Sequence, residues 1–141
     1  MLETEGLLDA DYVEAGKVRY IVHPFHLGSP EVALATEAAW CAADQGRFFE
    51  YQHILYENQG APLNQGALTN LARQVDLNGD SFAACLANGT HRADVAQAQR
   101  AAANRGVNST PTFFINNRQV RGNLPYPELR SIIDQELAAT Q

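Results

Sequence analysis

Thr110-Pro111-Thr112-Phe113-Phe114-Ile115-Asn116 is a proline followed by a short apolar run of β-branched and aromatic residues. Proline lacks the N–H that a ladder needs, so in a sheet it sits at the first position of a strand or on an edge. The stretch therefore predicts a strand over Thr112–Ile115 entered through an X-Pro bond. Taken alone, it is satisfied by a trans proline that opens the strand. A cis bond would instead expose the carbonyl of Thr110 and the ring of Pro111 as a docking edge for an extended peptide. After the run, Asn116-Asn117 tolerates positive φ, which predicts a hairpin into Gln119-Val120-Arg121.

Outward from this hairpin the chain reads as helices. Pro125 opens a last helix with Tyr126, Leu129, Ile132, Ile133 and Leu137 facing inward. Upstream, an alanine-rich helix runs to Gly106, with Thr90 as its expected cap. Phe82, Cys85 and Leu86 mark a helix before it, ended by Asn88-Gly89. Leu68, Leu71, Ala72 and Val75 mark another, stopped by the turn over Asp76–Asp80. Phe48, Tyr51, Ile54 and Leu55 form one stripe of a helix over Arg47–Asn58. Ser29 and Pro30 are the N-cap and first residue of a long helix whose inner face is Leu34, Ala38 and Cys41. Lys17–Phe25 reads as a strand, because Val18, Tyr20 and Val22 alternate among β-branched and aromatic residues. Residues 2–15 are helical and stop at Gly16.

The 141 residues suit a single domain with one ordinary core. A hydrophobic fraction of 45% and a charged fraction of 18% are those of a globular protein. The formal net charge of −6, with no basic run, excludes general nucleic-acid binding. No apolar stretch approaches the roughly 18 residues of a membrane span. Met1-Leu2-Glu3-Thr4-Glu5 is acidic and has no apolar segment behind it, so it does not read as a secretory signal. The two cysteines, Cys41 and Cys85, make no C-x-x-C, and His23, His26, His53 and His91 lack ligand-like spacing. Neither a metal site nor a cofactor is expected. Asp76-Leu77-Asn78-Gly79-Asp80 lacks the spacing and glutamate of a calcium loop. His23 and His26 read as surface residues beside a turn, and Trp40 as part of the helical core.

Four stretches together carry a family resemblance: Glu14-Ala15-Gly16-Lys17-Val18-Arg19-Tyr20, Trp40 to Phe49, Gly106 to Phe114, and Tyr126-Pro127-Glu128-Leu129-Arg130. In this order they resemble the DsbA-like thiol–disulfide oxidoreductases. The resemblance implies an α/β, thioredoxin-like fold with a large helical insertion. It implies one domain over residues 1–141, with 30–105 as the insertion. Thr110 and Pro111 match the family's cis-proline loop, which implies a substrate-binding role for them. The family's first strand and its C-x-x-C have no counterpart, and Met1 falls where the family is in mid-helix. The chain is therefore expected to be N-terminally truncated, with the first strand missing.

That departure governs the chemistry. Family catalysis needs a thiolate at a helix N-terminus, where the macrodipole lowers its pKa, and a second cysteine one turn on to resolve the mixed disulfide. Cys41 and Cys85 both fall mid-helix among apolar residues, so no catalytic residue can be assigned. The missing strand would also leave Lys17–Phe25 and Thr112–Ile115 short of ladder partners, a gap expected to be filled by a swapped segment or a re-paired sheet. Some relatives carry a structural disulfide between equivalent helices, which implies the pair Cys41–Cys85. The alternative is two buried free thiols acting as small hydrophobes. A disulfide would place the chain in an oxidising compartment, and the resemblance implies a periplasmic or other extracytoplasmic location.

The leading functional expectation is a protein thiol–disulfide oxidoreductase acting on protein or peptide thiols, here as a truncated chain inactive by itself. The alternative is a non-catalytic module that uses the Thr110–Pro111 edge to bind peptides. A homodimer through the exposed sheet edge is a further expected partner. Glutathione-dependent chemistry with a serine, as in other relatives of this superfamily, ranks last given the two insertion cysteines and Gln45-Gly46-Arg47-Phe48-Phe49.

Overall fold

The structure, a computed structural model, describes residues 2–140. Its elements in chain order are α1 (Leu2–Leu8), continued by a π turn over Asp9–Val13, then α2 (Pro30–Asp44), α3 (Phe48–Glu57), α4 (Gln65–Gln74), α5 (Gly79–Ala87), α6 (Arg92–Asn104), β1 (Thr112–Ile115), β2 (Arg118–Arg121) and α7 (Tyr126–Ala139). They fall into two compact units. One holds residues 1–22 and 107–141, the other residues 23–106.

The helices of the larger unit start where local chemistry satisfies their first N–H groups. Ser29 Oγ accepts from Val32 N at 3.4 Å ahead of Pro30, Asn64 Oδ1 from Ala67 N at 2.9 Å, and Asn78 Oδ1 from Ser81 N at 2.9 Å. The turn into α5 is also fixed from outside. Gln45 Oε1 accepts from Asn78 N at 2.8 Å, and its amide donates to Asn78 O at 3.3 Å. Gly46 closes α2 at φ +71°, a conformation costly for a side chain with Cβ. The apolar stripes of these helices meet in one core, in which Tyr51, Leu68, Phe82, Leu86 and Cys41 are the largest fully buried side chains. Tyr51 keeps its hydroxyl satisfied by donating to Leu68 O at 3.0 Å, which lets a phenol sit at 0% exposure.

The smaller unit is built on the hairpin. β1 and β2 pair antiparallel, Ile115 opposite Arg118 and Phe113 opposite Val120, and Asn116 takes φ +53° in the turn. Leu8 and Tyr12 pack with Leu129 and Ile133 of α7, joined by Val18, Tyr20 and Ile115. Tyr12 donates to Asp134 at 2.6 Å, and burial followed by this carboxylate raises its pKa. The π turn carries the chain past Tyr12 before Gly16 stops the helix.

Three expectations are corrected. Lys17–Phe25 is not a strand. The described residues form a single sheet of two strands, so the alternating segment has no ladder to join and runs as irregular backbone. The expected re-pairing of the sheet is not seen either: among the described residues β1 pairs with β2 alone. Thr90 does not cap α6; His91 is the N-cap, and its ring nitrogen rather than a hydroxyl turns to Asp94.

Candidate functional site

Two places carry the residues singled out by sequence. The first is the entry to β1. The Thr110–Pro111 peptide bond is cis, and Pro111 O accepts from Gly122 N at 2.9 Å, carrying the hairpin pairing one step beyond the strand. Thr112 Oγ1 donates to Ser109 O at 2.7 Å, which fixes the loop from the other side. Thr110 between them is exposed and makes no hydrogen bond to any described residue. The residues on either side of it are fixed by these bonds.

The second place is the pair of cysteines in the larger unit. Cys41 on α2 and Cys85 on α5 are joined by a disulfide across 44 positions, with Cα atoms 6.0 Å apart, and no cysteine is free. Cys41 is 2% exposed and Cys85 is half-buried. Neither sits at a helix N-terminus and neither is a thiol, so the exchange chemistry of a C-x-x-C cannot run on them as they stand.

Family membership rests on comparison with known proteins. The family model described as Thioredoxin matches residues 2–135. The chain belongs to the thioredoxin family. Two solved structures share its fold. One is a thioredoxin-like oxidoreductase from Silicibacter pomeroyi, with a TM-score of 0.79 and 25% identity over 96% of this chain and 75% of that one. The other is oxidised BdbD from Bacillus subtilis, with a TM-score of 0.78 and 19% identity over 94% of this chain and 76% of that one. By sequence, this thioredoxin-family chain is 24% identical to Disulfide bond formation protein D of Bacillus subtilis, over 92% of this chain and 62% of that protein. It is also 32% identical over 120 residues to Na(+)/H(+) antiporter NhaA 1 of Salinispora arenicola, and 36% identical over 116 residues to NhaA 3 of Salinispora tropica. The chain spans only 17% of the length of each antiporter. Among the described residues no helix is long and apolar enough to cross a membrane. The DsbA-like, thioredoxin-like architecture read from sequence is the one observed.

Around the disulfide of this thioredoxin-family chain lies a polar cluster that sequence reasoning missed. His91 Nε2 is 2.6 Å from Asp44 Oδ2, and its Nδ1 is 2.7 Å from Asp94 Oδ2. The same Asp44 oxygen lies 3.9 Å from Cys85 Sγ; a bonded sulfur has no proton to donate, so this is a contact rather than a hydrogen bond. Trp40 stacks on the imidazole with ring centroids 5.7 Å apart, and is half-buried rather than part of the apolar core. Glu37 Oε2 and Trp40 Nε1 are buried without partners among the described residues. Asp44, one turn beyond Cys41, and the His91-x-x-Asp94 spacing were the available signals, but each is ordinary on a helix surface. Among the other histidines, His26 is tied through its backbone to Gln99, its N–H donating at 3.1 Å and its C=O accepting at 2.8 Å, while His23 is exposed.

Burial pulls the His91 pKa down, but the carboxylates of Asp44 and Asp94 outweigh it and hold the imidazole above its ordinary value. A folded-state pKa above the unfolded one contributes stability that is full below the unfolded value and lost as pH rises through the folded one. Wild type should therefore exceed His91→Asn in urea midpoint by more at about pH 6 than at about pH 9. A difference that does not change with pH would show that pairing of the imidazolium with the two carboxylates does not stabilise the fold.

Proposed function

We propose that this chain docks extended polypeptides for a protein thiol–disulfide oxidoreductase, using the Thr110–Pro111 edge. The observation that carries it is Thr110, exposed and unpartnered immediately before β1 on a thioredoxin-family fold. A peptide laid beside it would pair with the Thr110 backbone by strand addition, and its side chains would supply specificity. Cysteine-containing segments of proteins are the substrate class that the resemblance to Disulfide bond formation protein D supports. Thiol exchange itself needs a reactive cysteine pair, and these 141 residues contain only the bonded Cys41 and Cys85. Docking without exchange is thus what this chain performs alone. The disulfide supports placement in an oxidising, extracytoplasmic compartment.

A fluorescently labelled, unfolded cysteine-containing peptide tests this by anisotropy. Thr110→Pro, which removes the N–H, is expected to weaken binding about tenfold or more, the scale of one lost backbone pair. The chain alone should not accelerate insulin reduction by a dithiol. Peptide binding unchanged in Thr110→Pro would remove the docking role. Retained binding with no exchange in any longer form of the protein would favour the non-catalytic binding module. Sedimentation of the free chain separates peptide docking from a second copy pairing on the same edge.

A further inference from the structure

The oxidised cysteines conceal a second arrangement. One ligand atom each from Cys41, Cys85 and His91 lies within 4.8 Å of the other two. Asp44 joins them, its Oδ2 at 2.6 Å from His91 Nε2 and 3.9 Å from Cys85 Sγ. Asp44 follows Cys41 by one turn of α2, and His91 follows Cys85 across the short turn between α5 and α6. Two segments thus each bring two ligand types to one spot, with Trp40 stacked on the His91 ring.

We propose that reduction of the Cys41–Cys85 disulfide opens a four-ligand metal site, made by both cysteine sulfurs, His91 Nε2 and Asp44, for zinc or a similar divalent cation. Two thiolates, an imidazole and a carboxylate form a tetrahedral zinc set, with bonds of about 2.3 Å to sulfur and about 2.0–2.2 Å to nitrogen and oxygen. Such bonds place neighbouring ligand atoms roughly 3–4 Å apart, so the present cluster needs only small side-chain rotations once the sulfurs separate. Zinc-binding histidines ordinarily donate their other N–H to a carboxylate, and Asp94 already sits 2.7 Å from Nδ1 in that role. The bonded pair cannot ligate in this way, because a cysteine ligand is a thiolate. The site is therefore gated by redox state. It does not depend on the docking edge at Thr110.

The chemistry balances with a dithiol as reductant. The dithiol gives two electrons and two protons to the Cys41–Cys85 bond, leaving two thiols here and a disulfide in the reductant. The cation then displaces the Cys41 and Cys85 thiol protons and the Nε2 proton shared with Asp44. The Nδ1 proton stays, directed at Asp94.

Cobalt(II) tests the proposal because its spectrum reports ligand type and geometry. The full chain is reduced with a phosphine, desalted without oxygen and titrated with Co²⁺. One equivalent is expected to bind with thiolate-to-cobalt absorption and intense tetrahedral bands, and to be displaced by Zn²⁺. The oxidised chain and Cys85→Ser should show neither feature. His91→Ala should change the visible bands, and Asp94→Asn should weaken binding by about 10–100-fold. A reduced chain that keeps its helical circular dichroism yet shows no thiolate–cobalt band would overturn the proposal. So would cobalt binding that is indifferent to His91→Ala, or that occurs only after helicity is lost.

Discussion

Removing the Cys41–Cys85 bond in a double alanine variant should lower the unfolding free energy by about 4 kcal/mol, the chain-entropy value for a closed loop of this size. The bond closes 44 positions, and α3 and α4 lie wholly inside that loop. Cut open, the unfolded chain regains the freedom the crosslink denied it, while the folded state loses only two small groups, one buried and one half-buried. A domain of this size is ordinarily stable by about 5–15 kcal/mol. The loss is therefore a large share of the whole. Urea unfolding followed by circular dichroism measures it, and the slope against denaturant should rise as the unfolded ensemble expands. A change below about 1 kcal/mol would mean that the reduced unfolded chain is already compact across this loop.

Phe82→Ala is the second large effect, expected to cost about 3–5 kcal/mol by cavity formation. Phe82 is 0% exposed on α5 and its ring centroid lies 5.1 Å from that of Tyr51, inclined by 53°. Leu68, also at 0%, and Leu86, at 1%, belong to the same core, so the space vacated by the ring is bounded by side chains already in close packing. Collapse into it would have to displace Tyr51, whose hydroxyl is anchored to Leu68 O. Phe82→Leu, which retains most of the volume, should cost distinctly less. Equal losses for the two variants, read from urea midpoints, would show that the ring contact rather than the filled volume holds this core together.

The helical stops and starts were legible because their causes are local. Ser29 reaches an N–H three residues away, and Gly16, Gly46 and Gly106 take positive φ at helix ends without help from the rest of the chain. The hairpin was legible for the same reason, since Asn116 needs only its own backbone to turn. Lys17–Phe25 was misread by the same local logic. Its alternation is that of a strand, but a strand exists only where another chain segment supplies its hydrogen bonds, and none of the described residues does. The cap of α6 failed more narrowly, because His91 is drawn to Asp44 from a helix 47 positions away as well as to its neighbour Asp94.

Period and turn residues alone determined a chain of many helices with a proline-led hairpin, the resemblance of four stretches pointed to the thioredoxin-like α/β fold, and the residue types present include no C-x-x-C. These properties follow from interactions spanning a few residues, or from the residue types present. Only the tertiary structure decided which surfaces meet. It joined Cys41 to Cys85, set His91 between two carboxylates beside them, and left Thr110 exposed at the entry to β1. Each of these depends on bringing distant segments within a few ångströms, and packing of helices around a shared core, not local propensity, sets those distances.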